Sequence, residues 1–164
     1  LASWKGFDVL IDIMKELSDW NLVIVGDGPE RKNLESKIGS LGLENRVKLT
    51  GLVSRGELLE LVGKAAIFAL NTSFESFSFQ TVEAMNAGVP VIVTNVGSLP
   101  EIVENGKEGI IVEPNNKEQI IVAIKKIDED EDFRNKIIEN GKRKARQFSI
   151  EKTVDKLAEL LKKI

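Results

Sequence analysis

Two glutamates, Glu75 and Glu83, occupy the stretch of this sequence where side chains could do chemistry, with seven residues between them. Glu75 stands in a polar loop after the apolar run 65–70, which predicts a strand followed by a loop. Glu83 lies about one turn into a helix predicted over residues 79–87, which Gly88 ends. In open α/β sheets, ligands bind at the loops that follow the carboxyl ends of the strands. We therefore expect a binding site between this loop and the start of this helix.

The start of the predicted helix suits an anion, and the two carboxylates suit hydroxyl groups. The first backbone N–H groups of a helix have no partner within it, so those of Phe77, Ser78, Phe79 and Gln80 could bind a phosphate. An ionised carboxylate accepts several hydrogen bonds at once, which matches the vicinal hydroxyls of a sugar. A nucleotide sugar combines both features. The alternative is a capped helix with an ordinary exposed glutamate, and the residues alone leave both interpretations open.

Composition narrows the class of protein. The chain has 164 residues, of which 42% are hydrophobic and 30% are charged, as in a soluble globular domain. It contains no cysteine and no histidine, which excludes a disulfide framework, a thiolate metal site and catalysis by histidine. The net charge of −3 and the 5% of aromatic residues argue against a nucleic-acid partner. No run has the length of a transmembrane helix and no signal peptide is visible, so we expect a cytoplasmic protein.

Continuously apolar runs alternate with amphipathic segments along most of the chain. We predict five strands, at 21–28, 47–50, 65–70, 89–94 and 109–112. We predict helices at 6–17, 31–41, from a cap at Ser54 to 62, at 79–87, 99–104 and 117–127, across the charged region from 125 onward, and finally at 151–164. This alternation predicts an α/β fold, a Rossmann-like doubly wound parallel sheet with helices on both faces. Residues 1–164 are expected to form a single domain.

Two further motifs carry less weight. The sequence GDGPER, at 26–31, follows a strand and precedes a helix, but Arg31 stands where a dinucleotide fingerprint needs its third glycine. We interpret it as a strand-to-helix turn with Pro29 at the start of the helix. The basic cluster within 142–146 is interpreted as an exposed helix face, with weak contact to anionic lipid headgroups as the alternative.

A long ordered pattern around the two glutamates resembles a known family. Glu75 and Glu83 belong to E-x-F-x-x-x-x-x-E-A-M-x-x-G-x-P-V, which is followed by a glycine, by PEIV and by NGKEG. This pattern resembles the C-terminal, donor-binding domain of the family-4 retaining glycosyltransferases (glycosyl transferases group 1), which have the GT-B fold. The resemblance covers essentially the whole chain. It implies that the first strand of the domain and an N-terminal acceptor domain lie upstream of Leu1.

The resemblance implies a role for each residue that matches the family pattern. Glu75 would bind hydroxyls of the transferred sugar and stabilise positive charge at its anomeric carbon, and Glu83 would hold the ribose 2′- and 3′-hydroxyls. Lys5 would neutralise the leaving diphosphate. Backbone groups of Leu52 and Val53 would contact the base. The remaining donor-binding residues would be those at the helix start, Ser76, Phe77, Ser78, Phe79 and Gln80.

The implied reaction is transfer of a sugar, of the hexosyl type, from a nucleotide diphosphate to an acceptor hydroxyl with retention at the anomeric carbon. The donor would be a sugar conjugate of UDP or GDP, and the acceptor a sugar, a glycan or a lipid-linked molecule. The resemblance implies no cofactor and no metal, and the lack of a visible acidic metal cluster in the sequence agrees with this. The chain alone should bind donor weakly and turn over little or nothing.

Two alternatives remain open: a non-catalytic nucleotide-sugar-binding module, and a GT-B domain like that of a nucleotide-sugar epimerase. A glycosidase pair of carboxylates is rejected, because Glu83 is assigned to the ribose end of the donor. Without the resemblance, Lys5 would be a solvated lysine and the loop at Leu52 a plain connection. In a longer enzyme, peripheral association with the inner membrane face is a further expectation.

Overall fold

The computed structural model describes residues 1–148, which form a layered α/β domain. The strands are β1 (Leu22–Ile24), β2 (Val47–Leu49), β3 (Phe68–Leu70), β4 (Val91–Thr94) and β5 (Ile110–Val112). The helices of this part of the chain are α1 (Phe7–Ile13), α2 (Arg31–Ser40), α3 (Arg55–Gly63), α4 (Phe79–Ala87), α5 (Leu99–Ile102), α6 (Lys117–Glu129) and α7 (Glu131–Ala145). Short 3₁₀ turns occupy Ser3–Lys5 and Arg146–Phe148. The helix predicted over 151–164 lies outside the described residues.

All the strand pairs are parallel, which confirms the predicted fold class. β1 pairs with β2, and β4 lies between β3 and β5, so that Ile92 is opposite Ala69 on one side and Ile110 on the other. The strands are shorter than predicted, and their arrangement also differs from expectation. Within residues 1–148 they form two hydrogen-bonded sheets, of two and three strands, rather than one continuous sheet. Packing of helices, and not a strand ladder, therefore connects β1 to β3.

Helix α1 connects the two sheets, because its apolar side chains pack against both. Ile11 belongs to the same buried cluster as Ile24 of β1, whereas Leu10 belongs to the cluster that contains Ile92 of β4. Trp20, in the connection between α1 and β1, is partly buried and packs against both clusters. The apolar residues of this helix are therefore divided between two buried clusters, one for each sheet.

Strand β4 is buried along its whole length, which explains its continuously apolar sequence. Successive side chains of a strand point to opposite faces of the sheet. Accordingly Ile92 packs with α1 and α6, while Val91 and Val93 pack in another cluster with Met85 of α4 and Ala145 of α7. Coverage by helices on both faces is the arrangement expected of a parallel sheet.

Several predicted helix ends agree with the structure. Helix α4 has the predicted bounds, and Gly88, with φ of +80°, ends it in the left-handed conformation. The capping box of Ser54 and Glu57 is present at the start of α3. The prediction for Pro29 is wrong, because α2 begins at Arg31 and the proline lies in the preceding turn.

The charged region after residue 125 is helical up to its described end. Asp130 separates α6 from α7, and its side chain accepts a hydrogen bond from the Phe133 N–H as a helix cap. Two members of the basic cluster contact neighbours on α7: Lys142 pairs with Glu139, and Arg143 donates to Asn140. Within residues 1–148, no helix combines the length and the apolarity needed to cross a membrane.

Candidate functional site

Lys5 and Glu75 form an ion pair at the carboxyl end of β3. The distance from Lys5 Nζ to Glu75 Oε2 is 2.8 Å. The Glu75 side chain is 13% exposed and that of Lys5 is 30% exposed, so the pair is partly withdrawn from water but open on one side. The resemblance assigns both residues to one site, and the structure brings them into direct contact.

The turn that carries Lys5 is fixed by hydrogen bonds to the end of β3. The carbonyl of Trp4 accepts hydrogen bonds from the N–H of Ser73, at 2.8 Å, and from the hydroxyls of Ser73 and Thr72, each at 3.2 Å. The amide of Asn71, which is buried, donates to the Gly6 carbonyl at 2.9 Å. Polar residues immediately after the strand therefore hold the lysine in place beside the glutamate.

The loop between β5 and α6 completes this support through Asn115. Its backbone N–H donates to Asn71 Oδ1 at 2.9 Å, and its own Oδ1 accepts from Asn71 Nδ2 at 3.1 Å. Asn115 has a φ of +61°, and among the described residues it is the one non-glycine residue with positive φ. Asparagine tolerates this conformation better than most residues. The backbone therefore adopts a less common geometry where it supports the lysine turn.

Gly97, in the loop after β4, lies directly against the backbone of Glu75. A Cβ atom on Gly97 would overlap the Glu75 carbonyl oxygen, at a distance well under the 3.0 Å that real Cβ atoms keep from their neighbours. The φ of Gly97 is +53°, which also favours glycine. This close approach constrains the backbone of Glu75.

The start of α4 presents free backbone donors beside Glu75. Ser78 is the helix cap, and its buried hydroxyl accepts from the Thr81 N–H at 3.2 Å. None of the backbone N–H groups of residues 77–80 donates a hydrogen bond to another residue within 1–148. Ser78 itself is fully buried, so the binding of an anion by this set of N–H groups stays a prediction. The capping role of the Ser78 side chain was missed.

Aromatic side chains surround this helix start. The rings of Phe77 and Phe79 meet edge to face, with centroids 4.9 Å apart. Phe77 is partly buried in the cluster of α4, whereas Phe79 is 68% exposed. Phe74, in the loop before Glu75, is 71% exposed. Phe74 and Phe79 therefore expose apolar surface on either side of Glu75 in the sequence.

Glu83 lies on α4 and pairs with a cation that sequence reasoning missed. Arg55 Nη2 donates to Glu83 Oε1 at 2.7 Å, which links α3 to α4. The residues just before Arg55 are the predicted base contacts: Leu52 is 84% exposed and Val53 is partly buried. The capping box signals that Arg55 is the first residue of a helix, but no local pattern places its side chain against a residue 28 positions away.

The predicted residues thus lie in two connected groups. Lys5 and Glu75 form one. The loop at Leu52 with Glu83 forms the other, which is joined through Arg55. Ser76 and Gln80 are exposed at this helix start and make no side-chain hydrogen bond with another residue of 1–148. The described residues contain no cluster of three or more potential metal ligands. The absence of a metal requirement stays a prediction.

Comparison with known proteins assigns the family. The family model of the glycosyl transferases group 1 matches residues 1–144, and the chain therefore belongs to this family. An uncharacterised glycosyltransferase of Methanocaldococcus jannaschii is 35% identical over 92% of this chain and 42% of that protein. The alpha-D-kanosaminyltransferase of Streptomyces kanamyceticus is 28% identical over 100% of this chain and 44% of that protein. The chain spans less than half the length of these relatives.

Solved structures share the fold over the same extent. Anabaena HepE in complex with UDP superposes with a TM-score of 0.91 at 31% identity, over 100% of this chain and 47% of that one. HepE in complex with UDP-glucose gives a TM-score of 0.88 at 30% identity, again over 100% and 47%. The C-terminal domain of a group 1 glycosyl transferase from Francisella tularensis gives 0.79 at 26% identity, over 90% of this chain and 81% of that one. The predicted family resemblance is confirmed.

Proposed function

We propose that this chain binds the nucleotide-sugar donor of a retaining glycosyltransferase. The observation that carries the proposal is the contact of Lys5 with Glu75 at 2.8 Å, beside the free N–H groups at the start of α4. One small site thus offers a cation and backbone donors for a diphosphate, and a carboxylate for sugar hydroxyls. The crystal structure of HepE with UDP-glucose, a protein 30% identical to this chain, supports the same class of ligand.

Lys5 and the start of α4 serve the diphosphate in this proposal. The ammonium group has three donors and the Glu75 carboxylate uses one of them, so contact with a phosphate oxygen does not require the ion pair to break. The free N–H groups at the start of α4, apart from that of the buried Ser78, add neutral donors and the positive end of the helix dipole. Both stabilise the charge that develops on the diphosphate as it leaves, which lowers the barrier to transfer.

Glu75 serves the transferred sugar. With Oε2 held by Lys5, its other carboxylate oxygen is available to sugar hydroxyls. A carboxylate near the anomeric carbon also stabilises the positive charge that develops there when the bond to the diphosphate weakens. Retention at the anomeric carbon and independence from a metal ion are part of this proposal.

In this proposal Glu83 binds the ribose and the loop at Leu52 binds the base. Glu83 retains one carboxylate oxygen free of Arg55, and a carboxylate matches a vicinal diol. Leu52, at 84% exposure, offers an apolar surface to a base, and backbone groups of Leu52 and Val53 offer hydrogen bonds. The acceptor site and full catalytic activity are proposed to require the part of the enzyme that this chain does not span.

The test is calorimetric titration of the chain with UDP, GDP and ADP, and then with their common sugar conjugates. Glu83→Ala should weaken binding of the bare nucleotide, whereas Glu75→Ala should chiefly remove the preference for the sugar-bearing ligand. Loss of a hydrogen bond to a charged group costs about 1.5–3 kcal/mol, which is about 10- to 150-fold in affinity. Glu60→Ala is the matched control, because Glu60 is an exposed, ion-paired glutamate of α3 outside the site.

Two results would contradict the proposal. If none of the nucleotides or sugar nucleotides binds the chain, the donor role is wrong. If Glu75→Ala and Glu83→Ala weaken the bare nucleotide and the nucleotide sugar equally, the division of labour between sugar and ribose is wrong. Glu60→Ala should leave every affinity within twofold of the parent.

A further inference from the structure

Arg55 is the first residue of α3 and makes an ion pair across to α4. Its guanidinium donates from Nη2 to Oε1 of Glu83 at 2.7 Å. The Arg55 side chain is 73% exposed, while that of Glu83 is only 22% exposed. Within residues 1–148, Glu83 accepts no other side-chain or loop hydrogen bond. Within this part of the chain, Arg55 is therefore the one side-chain hydrogen-bond partner that can orient this carboxylate.

The backbone of Arg55 is well fixed, which makes it a suitable anchor. Ser54 and Glu57 form a reciprocal capping box around it, with bonds of 3.2 and 2.8 Å. A guanidinium is planar and always charged, so it holds a carboxylate in a defined plane better than an ammonium group does. A contact through one carboxylate oxygen leaves the other, and further lone pairs, for a ligand.

We propose that Arg55 is a positioning residue for the ribose: it holds the Glu83 carboxylate ready to accept the vicinal hydroxyls. This inference rests on the proposed function and extends it to a residue outside the family pattern described above. A glutamate held in place before the ligand arrives loses less conformational freedom on binding. Arg55 thereby strengthens nucleotide binding without contacting the nucleotide itself.

The proposal is tested by calorimetry with UDP and with 2′,3′-dideoxy-UDP, or with the equivalent pair for GDP or ADP if the chain prefers that base. Arg55→Ala should weaken UDP binding by about three- to tenfold. The affinity for the dideoxy ligand should not change, because that ligand lacks the hydroxyls that would donate hydrogen bonds to Glu83. In the Glu83→Ala background, Arg55→Ala should cause no further loss. Arg55→Lys should restore affinity in part.

Lys64→Ala is the matched control. Lys64 stands at the other end of the same helix, is 72% exposed, and is also paired with a glutamate, Glu60. Its substitution also removes one positive charge at an end of α3, and it should change neither the affinity for UDP nor the affinity for dideoxy-UDP. A loss with Lys64→Ala as large as with Arg55→Ala would overturn the proposal in favour of a general effect of charge.

The remaining outcomes separate this inference from the function on which it rests. If the parent chain binds UDP and Arg55→Ala binds it equally well, only the positioning role is wrong. If Arg55→Ala weakens UDP and dideoxy-UDP alike, or still weakens UDP in the Glu83→Ala background, Arg55 acts on a part of the nucleotide other than the ribose hydroxyls and the positioning role is again wrong. If the parent binds no nucleotide, the proposed function and this inference fall together.

Discussion

Replacement of Gly97 by alanine should displace the backbone of Glu75. The new Cβ would overlap the Glu75 carbonyl oxygen, which belongs to the backbone and cannot rotate away as the end of a side chain would. Relief requires the loop after β4 or the loop after β3 to move by about an ångström or more. Both loops border the candidate site, so the change in stability and the change in binding should appear together.

Substitutions at three glycines separate the conformational penalty of a positive φ from the penalty of steric overlap. Gly63 ends α3 without positive φ and has open space around it, so alanine there should be neutral or stabilising by about 0.5–1 kcal/mol. Gly42 has a φ of +64° with nothing within 4 Å of an added Cβ, so alanine should cost only the conformational penalty, about 1–2 kcal/mol. Gly97 combines a positive φ with the overlap, which adds about 1–3 kcal/mol.

Urea unfolding followed by circular dichroism gives the free energy of unfolding for the parent and each variant. We expect the free energy of unfolding to decrease in the order Gly63→Ala, Gly42→Ala, Gly97→Ala. The last variant should lose about 2–5 kcal/mol relative to the parent. Affinity for the nucleotide sugar that the parent chain binds should fall by about tenfold or more in Gly97→Ala alone, since a displaced carboxylate would lose the sugar contacts proposed for it. Equal stability of the Gly97→Ala and Gly42→Ala variants, with unchanged affinity, would refute the reasoning.

Three further predictions concern charge and backbone strain. Lys5→Met should weaken binding of the preferred nucleoside diphosphate and of its sugar conjugate by about tenfold. Binding of the matching nucleoside, which carries no phosphate, should not change, and equal losses for all three ligands in calorimetry would contradict this. Partial burial raises the pKa of Asp12, but hydrogen bonds and charge from Lys117 and Lys37 outweigh it and hold the pKa below 3.8. Because the pKa is lowered in the folded state, ionised Asp12 stabilises the fold at pH values above its ordinary pKa. Asp12→Asn should therefore be less stable than the parent at pH 7. In urea titrations this difference in stability should vanish as the pH falls through the lowered pKa. Asn115→Ala should be less stable than Asn115→Gly by about 1 kcal/mol in the same assay, because only alanine is strained at a φ of +61°.

Local pattern was sufficient for the existence and type of the elements. Helix α4 was predicted with its observed bounds, because a helical apolar period precedes a glycine that adopts the left-handed conformation. Strands were predicted in the right places but too long: the run 21–28 yields only Leu22–Ile24 in a ladder. The length of a strand depends on how far its partner remains alongside, and the sequence of one strand does not contain that information.

The contacts within the site depended on tertiary structure. Lys5 and Glu75 are 70 positions apart, and the family pattern placed both near the donor without indicating that they touch. The pairing of Arg55 with Glu83 and the approach of Gly97 to Glu75 were not predicted, because both need the relative placement of separate elements. The division into two sheets was missed for the same reason: apolar runs indicate strands, but not which strands are neighbours.

The positions of the two tryptophans give the chain separate optical reporters. Trp20 packs against both the cluster of β1 and the cluster of β4, so its emission depends on the two sheets being joined through α1. Trp4 is 52% exposed in the turn that carries Lys5, so its emission depends on the state of the site. With Trp4→Phe and Trp20→Phe, fluorescence can follow ligand arrival and separation of the sheets independently. A signal from Trp20 that remains native while that of Trp4 changes would mean that the site reorganises on an intact scaffold.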